Sequence, residues 1–202
     1  MTATVGVLGA GTIGRGVGRF FLHAGHRVLL SNSRGPQTLG DVAADLGANA
    51  GAVTTAEAAA ADIVLLAVPW SAVEPALSGL GSWGGRILVD ATNAIKRFDP
   101  PAIELYEFGD RTSSQVVAAL APGARVVKAF NHLGYQQMIA PVPAGEKRAF
   151  FCCGDDPAAR DEVAAVLRAN DFAAIDLGGL ADGSRVQQVG GPLASLDLRL
   201  AP

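Results

Sequence analysis

The chain has 202 residues, half of them hydrophobic, with 16 Lys+Arg against 19 Asp+Glu and a net charge of −3. That length allows one large domain, or one with a small appendage, and supplies enough apolar material for a sizeable core. No Lys/Arg run or basic face points to nucleic acid or an anionic membrane surface as a partner. No apolar run approaches the ~20 residues of a membrane span, and the N-terminus lacks the charged-then-apolar layout of a leader. Cys152 and Cys153 are adjacent, so they are poor partners for an ordinary disulfide. They read as a small apolar pair on a core strand, with a redox pair as the alternative, and a reducing cytoplasm is expected.

The first element is a short apolar strand over residues 5–8. It runs directly into Gly9-Ala10-Gly11-Thr12-Ile13-Gly14, and helical spacing follows (Ile13, Val17, Phe20, Phe21, Ala24). Strand, G-x-G-x-x-G and helix in that order is the context in which the fingerprint means dinucleotide binding. Gly9 serves the tight turn, Gly11 lets a pyrophosphate approach the backbone, and Gly14 lets helix and sheet pack closely. The N–H groups of Thr12 and Ile13 open the helix whose N-terminus faces the phosphates. The alternative is a glycine-rich turn that has lost its ligand.

A second strand, residues 26–30, ends in Ser31-Asn32-Ser33-Arg34. An acidic residue here would hold the ribose 2′-OH of NAD, but none occurs before Asp41. Hydroxyls, an amide and a guanidinium suit a 2′-phosphate, so NADP(H) is expected, with Arg34 supplying charge-assisted bonds. A helix from Pro36 to about Leu46, a weak strand at residues 50–53 and a short Ala-rich helix at 55–60 come next. The fourth strand, 63–68, stops at Pro69-Trp70, and a helix is predicted over residues 71–80. The fifth strand, 86–91, ends in Ala91-Thr92-Asn93. In an open α/β sheet ligands lie beyond the carboxyl ends of the strands, so Val68, Pro69, Trp70, Ala91, Thr92 and Asn93 join the candidate cofactor residues. Trp70 is either a wall of the site or a core anchor.

Residues 93–111 read as a long loop rich in Pro, Gly and charge. A helix over 112–120 and a sixth strand over 125–130 follow. Lys128 puts a charge on a strand expected to be central. It is read as the ion-pair partner of Asp90, with a substrate anchor as the alternative. Asn131 and His132 fall where hydride chemistry is expected and are the candidate catalytic residues. A hydrogen-bonded loop histidine is the competing reading of His132. Residues 131–145 look irregular. A strand over 147–153, a helix over 157–170, a strand over 172–177 and a short helix near 185–189 complete the chain. The alternation predicts an α/β fold with a doubly wound, mostly parallel sheet. Residues 1–124 form the nucleotide-binding domain and 125–202 a small lobe completing the sheet and the acceptor cleft. No H-E-x-x-H, C-x-x-C or G-x-S-x-G pattern occurs, so no metal site is expected.

With these residues in place the chain resembles the NADPH-dependent coenzyme F420 reductases. The resemblance rests on Gly9–Gly14, on Ser31-Asn32-Ser33-Arg34-Gly35-Pro36, on Ala67-Val68-Pro69-Trp70 and on Val89-Asp90-Ala91-Thr92-Asn93. It continues through Arg111-Thr112-Ser113-Ser114, Val127-Lys128-Ala129-Phe130-Asn131 and Gly190-Gly191-Pro192-Leu193. It implies a Rossmann domain, a small C-terminal lobe, a homodimer, Ser31, Ser33 and Arg34 at the 2′-phosphate, and hydride transfer between NADP(H) and the deazaflavin F420. One departure stands out: archaeal members carry histidine where this chain has Asn131, with His132 one position later. Other acceptors (flavin, quinone, imine) and a non-catalytic NADP(H)-sensing role remain the competing readings. After Phe130 only about 72 residues remain, too few for the large helical second domain that β-hydroxyacid dehydrogenases and pyrroline-carboxylate reductases use. The small-molecule redox acceptor is therefore expected on an open cleft, where stacked rings need mainly distance and orientation.

Overall fold

The structure, a computed structural model, describes residues 2–100 and 102–201. Strand β1 (Thr4–Leu8) leads into α1 (Thr12–His23), then β2 (Arg27–Ser31), α2 (Gly40–Leu46), β3 (Ala50–Ala52), α3 (Thr55–Ala59) and β4 (Ile63–Leu66). After β4 come α4 (Val73–Leu77), β5 (Ile87–Asp90), β6 (Ile95–Asp99), β7 (Ala102–Leu105), α5 (Ser113–Leu120) and β8 (Arg125–Ala129). The chain ends with α6 (Tyr135–Ile139), β9 (Lys147–Gly154), α7 (Pro157–Ala169), β10 (Ala173–Asp176), α8 (Leu180–Gln187) and β11 (Arg199–Leu200).

Among the described residues the main sheet runs in the order β10-β9-β8-β5-β4-β1-β2-β3, with β11 paired to β9. Pairing is parallel from β3 through β8, and β9 runs antiparallel to β8. The chain starts at β1, builds outward through β2 and β3, then returns to the other side of β1 with β4. The topological switch therefore lies between β1 and β4, the crevice where ligands bind in such sheets. The α/β doubly wound reading of the sequence holds.

Period-2 alternation builds a separate core on each face of the sheet. Val5 and Val7 of β1, with Ile63 and Leu65 of β4, pack under α1, α2 and α7. Val64 and Leu66 turn the other way, under α3, α4, α5 and α8. On that second face Gly6 stands where a Cβ would lie 1.8 Å from the Ala58 carbonyl oxygen, so α3 rides directly on β1. Thr54 and Glu57 close a capping box on α3, and Thr112 and Gln115 close one on α5. Asp156 caps α7 by accepting from Ala159 N at 2.7 Å.

Four predicted stretches differ. Residues 93–111 contain a hairpin, β6–β7, in which Phe98 faces Ile103. The pattern was hidden because the hairpin packs little against the core, so its strands show no buried face: Phe98 is 65% exposed. Residues 131–145 contain α6, whose Met138 is buried while Gly16 of α1 sits against the Tyr135 ring. The late helix begins at Leu180, not Arg185, because Asp155 Oδ1 accepts from Leu180 N at 2.9 Å and caps it from a distant loop. The 71–80 segment is shorter than predicted, with a 3₁₀ turn over Trp70–Ala72 before α4.

Candidate active site

A cleft of about 670 Å³ opens at the carboxyl edge beside the switch point. It gathers Gly9, Gly11, the whole run Ser31 to Arg34, Val68 and Pro69, residues that lie up to 60 positions apart and were chosen separately from sequence. Gly9 has φ +101°, and an added Cβ would lie 2.5 Å from the Ala67 carbonyl oxygen, so the turn needs glycine. At Gly11, by contrast, a Cβ would meet nothing within 4 Å. No fold constraint demands glycine there, and the open space fits close approach by a ligand. Gly14 serves packing, since a Cβ would lie 1.9 Å from the Gly9 carbonyl oxygen. Helix α1 has no side-chain cap and no acidic residue in its first turn. Its leading N–H groups and positive dipole end are left for an anion at Thr12 and Ile13.

The second motif divides into two roles. Ser31 is fully buried, its hydroxyl donates to the Val7 carbonyl at 2.8 Å, and its own carbonyl accepts from Gly9 N and Ala10 N at 3.1 Å. It fixes the glycine loop to β2, and its side chain faces the sheet rather than the open rim. Asn32 shapes the turn: its Oδ1 accepts from Arg34 N at 2.9 Å and its Nδ2 donates to Thr38 at 2.9 Å. Ser33 and Arg34 are exposed. Among the described residues no acceptor takes the Arg34 guanidinium, which is left to a phosphate.

The far wall was not legible in the sequence. Thr55 and Ala56 of α3, Ala72, and Pro75 and Ala76 of α4 face the Ser31–Arg34 turn across the cleft. They are small or apolar, the surface a flat base needs, and such residues leave no motif. Trp70 does not line this cleft. It is half-buried against the core and lies tilted against Phe108 (ring centroids 5.1 Å) and Tyr106 (6.4 Å), tying the base of the hairpin to the turn after β4.

At the β5–β8 end the polar residues form one buried network. Lys128 and Asp90 pair at 3.1 Å, both side chains fully buried, as the sequence led us to expect. Asp90 also accepts from Thr92 N (2.9 Å), Thr92 Oγ1 (2.6 Å) and Ser114 Oγ (2.6 Å). Burial alone would raise the Asp90 pKa, but Lys128, Ser114 and Thr92 together outweigh it and hold the carboxyl below its ordinary value. Lys128 Nζ donates onward to the Thr92 carbonyl at 3.1 Å, which leaves it a structural cation, not a free anchor. Asn93 and Asn131 pair reciprocally: Asn93 Nδ2 donates to the Asn131 carbonyl (2.8 Å) and Asn131 Nδ2 to Asn93 Oδ1 (3.2 Å). Ala91 continues the ladder by donating to the Leu66 carbonyl.

His132 lies apart from the cleft. Its ring is 3% exposed and packs edge-on against Phe150 and Phe151, with centroids 5.2 and 4.9 Å away. Burial drives its pKa down to about 4, so the imidazole is neutral at pH 7. In this position the ring is a core side chain outside the lining of the cleft. The cysteines are likewise buried, with the Cys152 thiol pushed up to about 11 and Cys153 to about 12, mainly by burial.

Comparison with known proteins fits this arrangement. Residues 4–94 match the family model described as NADP oxidoreductase, coenzyme F420-dependent. The chain is similar to the structure of hypothetical protein SMa0349 from Sinorhizobium meliloti, with 39% identity, 98% and 95% of the two chains covered and a TM-score of 0.87. It is similar to a proposed F420-dependent NADP-reductase from Arthrobacter sp. FB24, with 27% identity, 88% and 86% covered and a TM-score of 0.75. It is 28% identical over 200 residues to metalloreductase STEAP3 of Rattus norvegicus, covering 98% of this chain but only 37% of that protein. The reductive aminase from Aspergillus terreus, solved with NADPH, shares the fold at 22% identity and a TM-score of 0.62, with 91% of this chain and 57% of that chain covered.

Proposed function

We propose that the chain is a member of the family whose model residues 4–94 match, the coenzyme F420-dependent NADP oxidoreductases, and that it moves a hydride between NADP(H) and the deazaflavin F420. The observation that carries the nucleotide half is the cleft itself. Open space at Gly11, the uncapped start of α1 and the unpaired Arg34 guanidinium converge on it. The pyrophosphate would lie at Gly11 to Ile13, the 2′-phosphate at Ser33 and Arg34, and the adenine against Thr55, Pro75 and Ala76. Residues Val68, Pro69, Thr92, Asn93 and Asn131, across the switch point, would hold the nicotinamide half. Bound there, NADPH supplies the hydride. The protein's part is to fix the ring and leave one of its faces open, since a transfer between two stacked rings depends on distance and alignment.

The choice of F420 draws on the family. The aromatic group Trp70, Tyr106 and Phe108 adds an apolar border beside the turn after β4, suited to a flat ring system. A homodimer and a cytoplasmic setting belong to the same proposal. Among the described residues no helix is long and apolar enough to cross a membrane. A second reading, NADPH-dependent reduction of a different acceptor, draws on the similarity to the rat metalloreductase, of which this chain spans 37%.

The deciding experiment mixes purified protein, NADPH and F420 and follows the deazaflavin absorbance. Bleaching that depends on protein and NADPH is expected. Protein that binds NADPH yet leaves F420 unchanged, while consuming NADPH with a flavin, quinone or imine, would move the assignment to the second reading.

A further inference from the structure

The β5–β8 end of the site is closed by a residue from the far end of the chain. Gln187, the last residue of α8, is fully buried. Its Nε2 donates to the Lys128 carbonyl at 3.0 Å and to Cys153 Sγ at 3.1 Å, while its backbone carbonyl accepts from Asn131 Nδ2 at 2.9 Å. These bonds complete a ring. Lys128 grips Asp90 and the Thr92 carbonyl, Asn93 follows Thr92 and pairs with Asn131, and Asn131 returns to Gln187.

Between Lys128 and Asn131 the chain makes an unfavourable turn. Phe130, buried and not glycine, has φ +59°. A residue with a Cβ holds that conformation only where its surroundings over-determine it, and such residues gather where a site must keep a set geometry. Gln187 bonds on both sides of this turn. Its reach depends on how closely α8 lies on β9: at Gly183 a Cβ would be 2.4 Å from Cys153 Cβ and 2.8 Å from the Leu177 carbonyl oxygen. The next residue, Gln188, accepts from Ser113 N at 3.1 Å and Ser113 Oγ at 3.2 Å, which fixes the end of α8 to the start of α5.

We infer that Gln187 is a positioning residue for the nicotinamide half of the site. It touches no ligand. It holds the strained turn at Phe130, and so sets the Asn93–Asn131 amide pair at the carboxyl edge of β5 and β8. The inference rests on the reading above that NADP(H) crosses the switch point toward these strands. It adds that the C-terminal helix, more than 50 residues beyond β8, governs how that half is held.

The test separates the two halves of the cofactor. Adenosine 2′,5′-bisphosphate carries the adenine and the 2′-phosphate but no nicotinamide. For Gln187→Met and Gln187→Glu, which keep the side-chain length and lose the donor pair, calorimetry should show NADPH affinity falling about tenfold and bisphosphate affinity staying within about twofold. Ser184→Ala, on the same helix but outside the ring, should leave both affinities unchanged. Equal losses for the two ligands, or no loss for either, overturn the inference. Should neither Gln187 variant fold, hydrogen exchange of the wild-type chain decides. NADPH is expected to slow exchange across residues 180–188 more than the bisphosphate does, and equal slowing overturns the inference. Wild-type protein that binds neither ligand would overturn the NADP(H) reading together with it, whereas binding without the predicted split removes only the role of Gln187.

Discussion

The two halves of the proposed site are built by opposite means. At β1 and β2 the protein presents backbone N–H groups, open space at Gly11 and a loose guanidinium at Arg34, all within about 25 residues of chain. At β5 and β8 it presents little free functionality. Asp90, Lys128, Thr92 and Ser114 spend their hydrogen bonds on each other, and the parts come from β5, α5, β8 and α8. The first half is built to receive charge from solvent. The second is built to keep a shape. Receiving charge needs exposed donors, and a buried network resists motion because every broken bond there leaves an unsatisfied group.

This contrast can be broken most forcefully in the rigid half. Asp90→Asn would leave the Lys128 cation buried without its counter-charge, so stability at pH 7 should drop by about 3–5 kcal/mol in chemical denaturation. The Asp90 carboxyl titrates below its ordinary value, so its contribution is full above that value and is lost as pH falls through the lowered native one. The gap between wild type and variant should therefore narrow in acid. A gap that is small at pH 7 would show that the network is not the rigid element.

His132 gives the next effect. Its pKa lies at about 4 in the native state against an ordinary 6.5. The unfolded chain takes up the proton first, so stability is highest above pH 6.5 and falls on going down to about 4. At about 1.4 kcal/mol per pH unit the loss reaches roughly 3 kcal/mol. His132→Leu should remove that acid slope while sparing NADPH affinity. An unchanged slope would show that the ring is not buried as described.

The receptive half should fail in function and not in stability. Gly11→Val adds a side chain to empty space, so the protein should fold normally and lose at least about a hundredfold in NADPH affinity, or about 2.7 kcal/mol. Retained binding would put the pyrophosphate elsewhere. Smallest is Arg34→Ala, expected to weaken NADPH by about 2 kcal/mol with NADH hardly changed. Equal weakening of both would remove the 2′-phosphate from Arg34.

What could be read from sequence follows the same division. The glycine loop, the Ser31–Arg34 turn and the ends of β4 and β5 were legible because their function depends on local backbone geometry and on residues adjacent in the chain. Gly9 and Gly14 have the steric roles their spacing implied, and Gly11 borders open space. The Lys128–Asp90 pair was legible because a charge in an apolar strand demands a partner. The hairpin β6–β7 was not, since its strands bury no continuous face. His132 sits two residues beyond the strained Phe130, and only that turn sends its ring into the aromatic core while Asn131 faces Asn93. The small residues of the cleft's far wall and the reach of Gln187 carry no signature at all.

By itself, the sequence determined the alternation of strands and helices and the place of the glycine turn, and it supplied the grounds for proposing a 2′-phosphate beside Arg34. Each of these is fixed by short-range periodicity, by glycine's missing side chain or by local charge. Only the tertiary structure decided which polar groups remain free for a ligand and which are consumed in holding the frame. That outcome depends on burial and on partners distant in the chain, such as Gln187 for Lys128, 59 residues away. A side chain's chemistry is written in the chain, but whether it is available is settled by what packs around it.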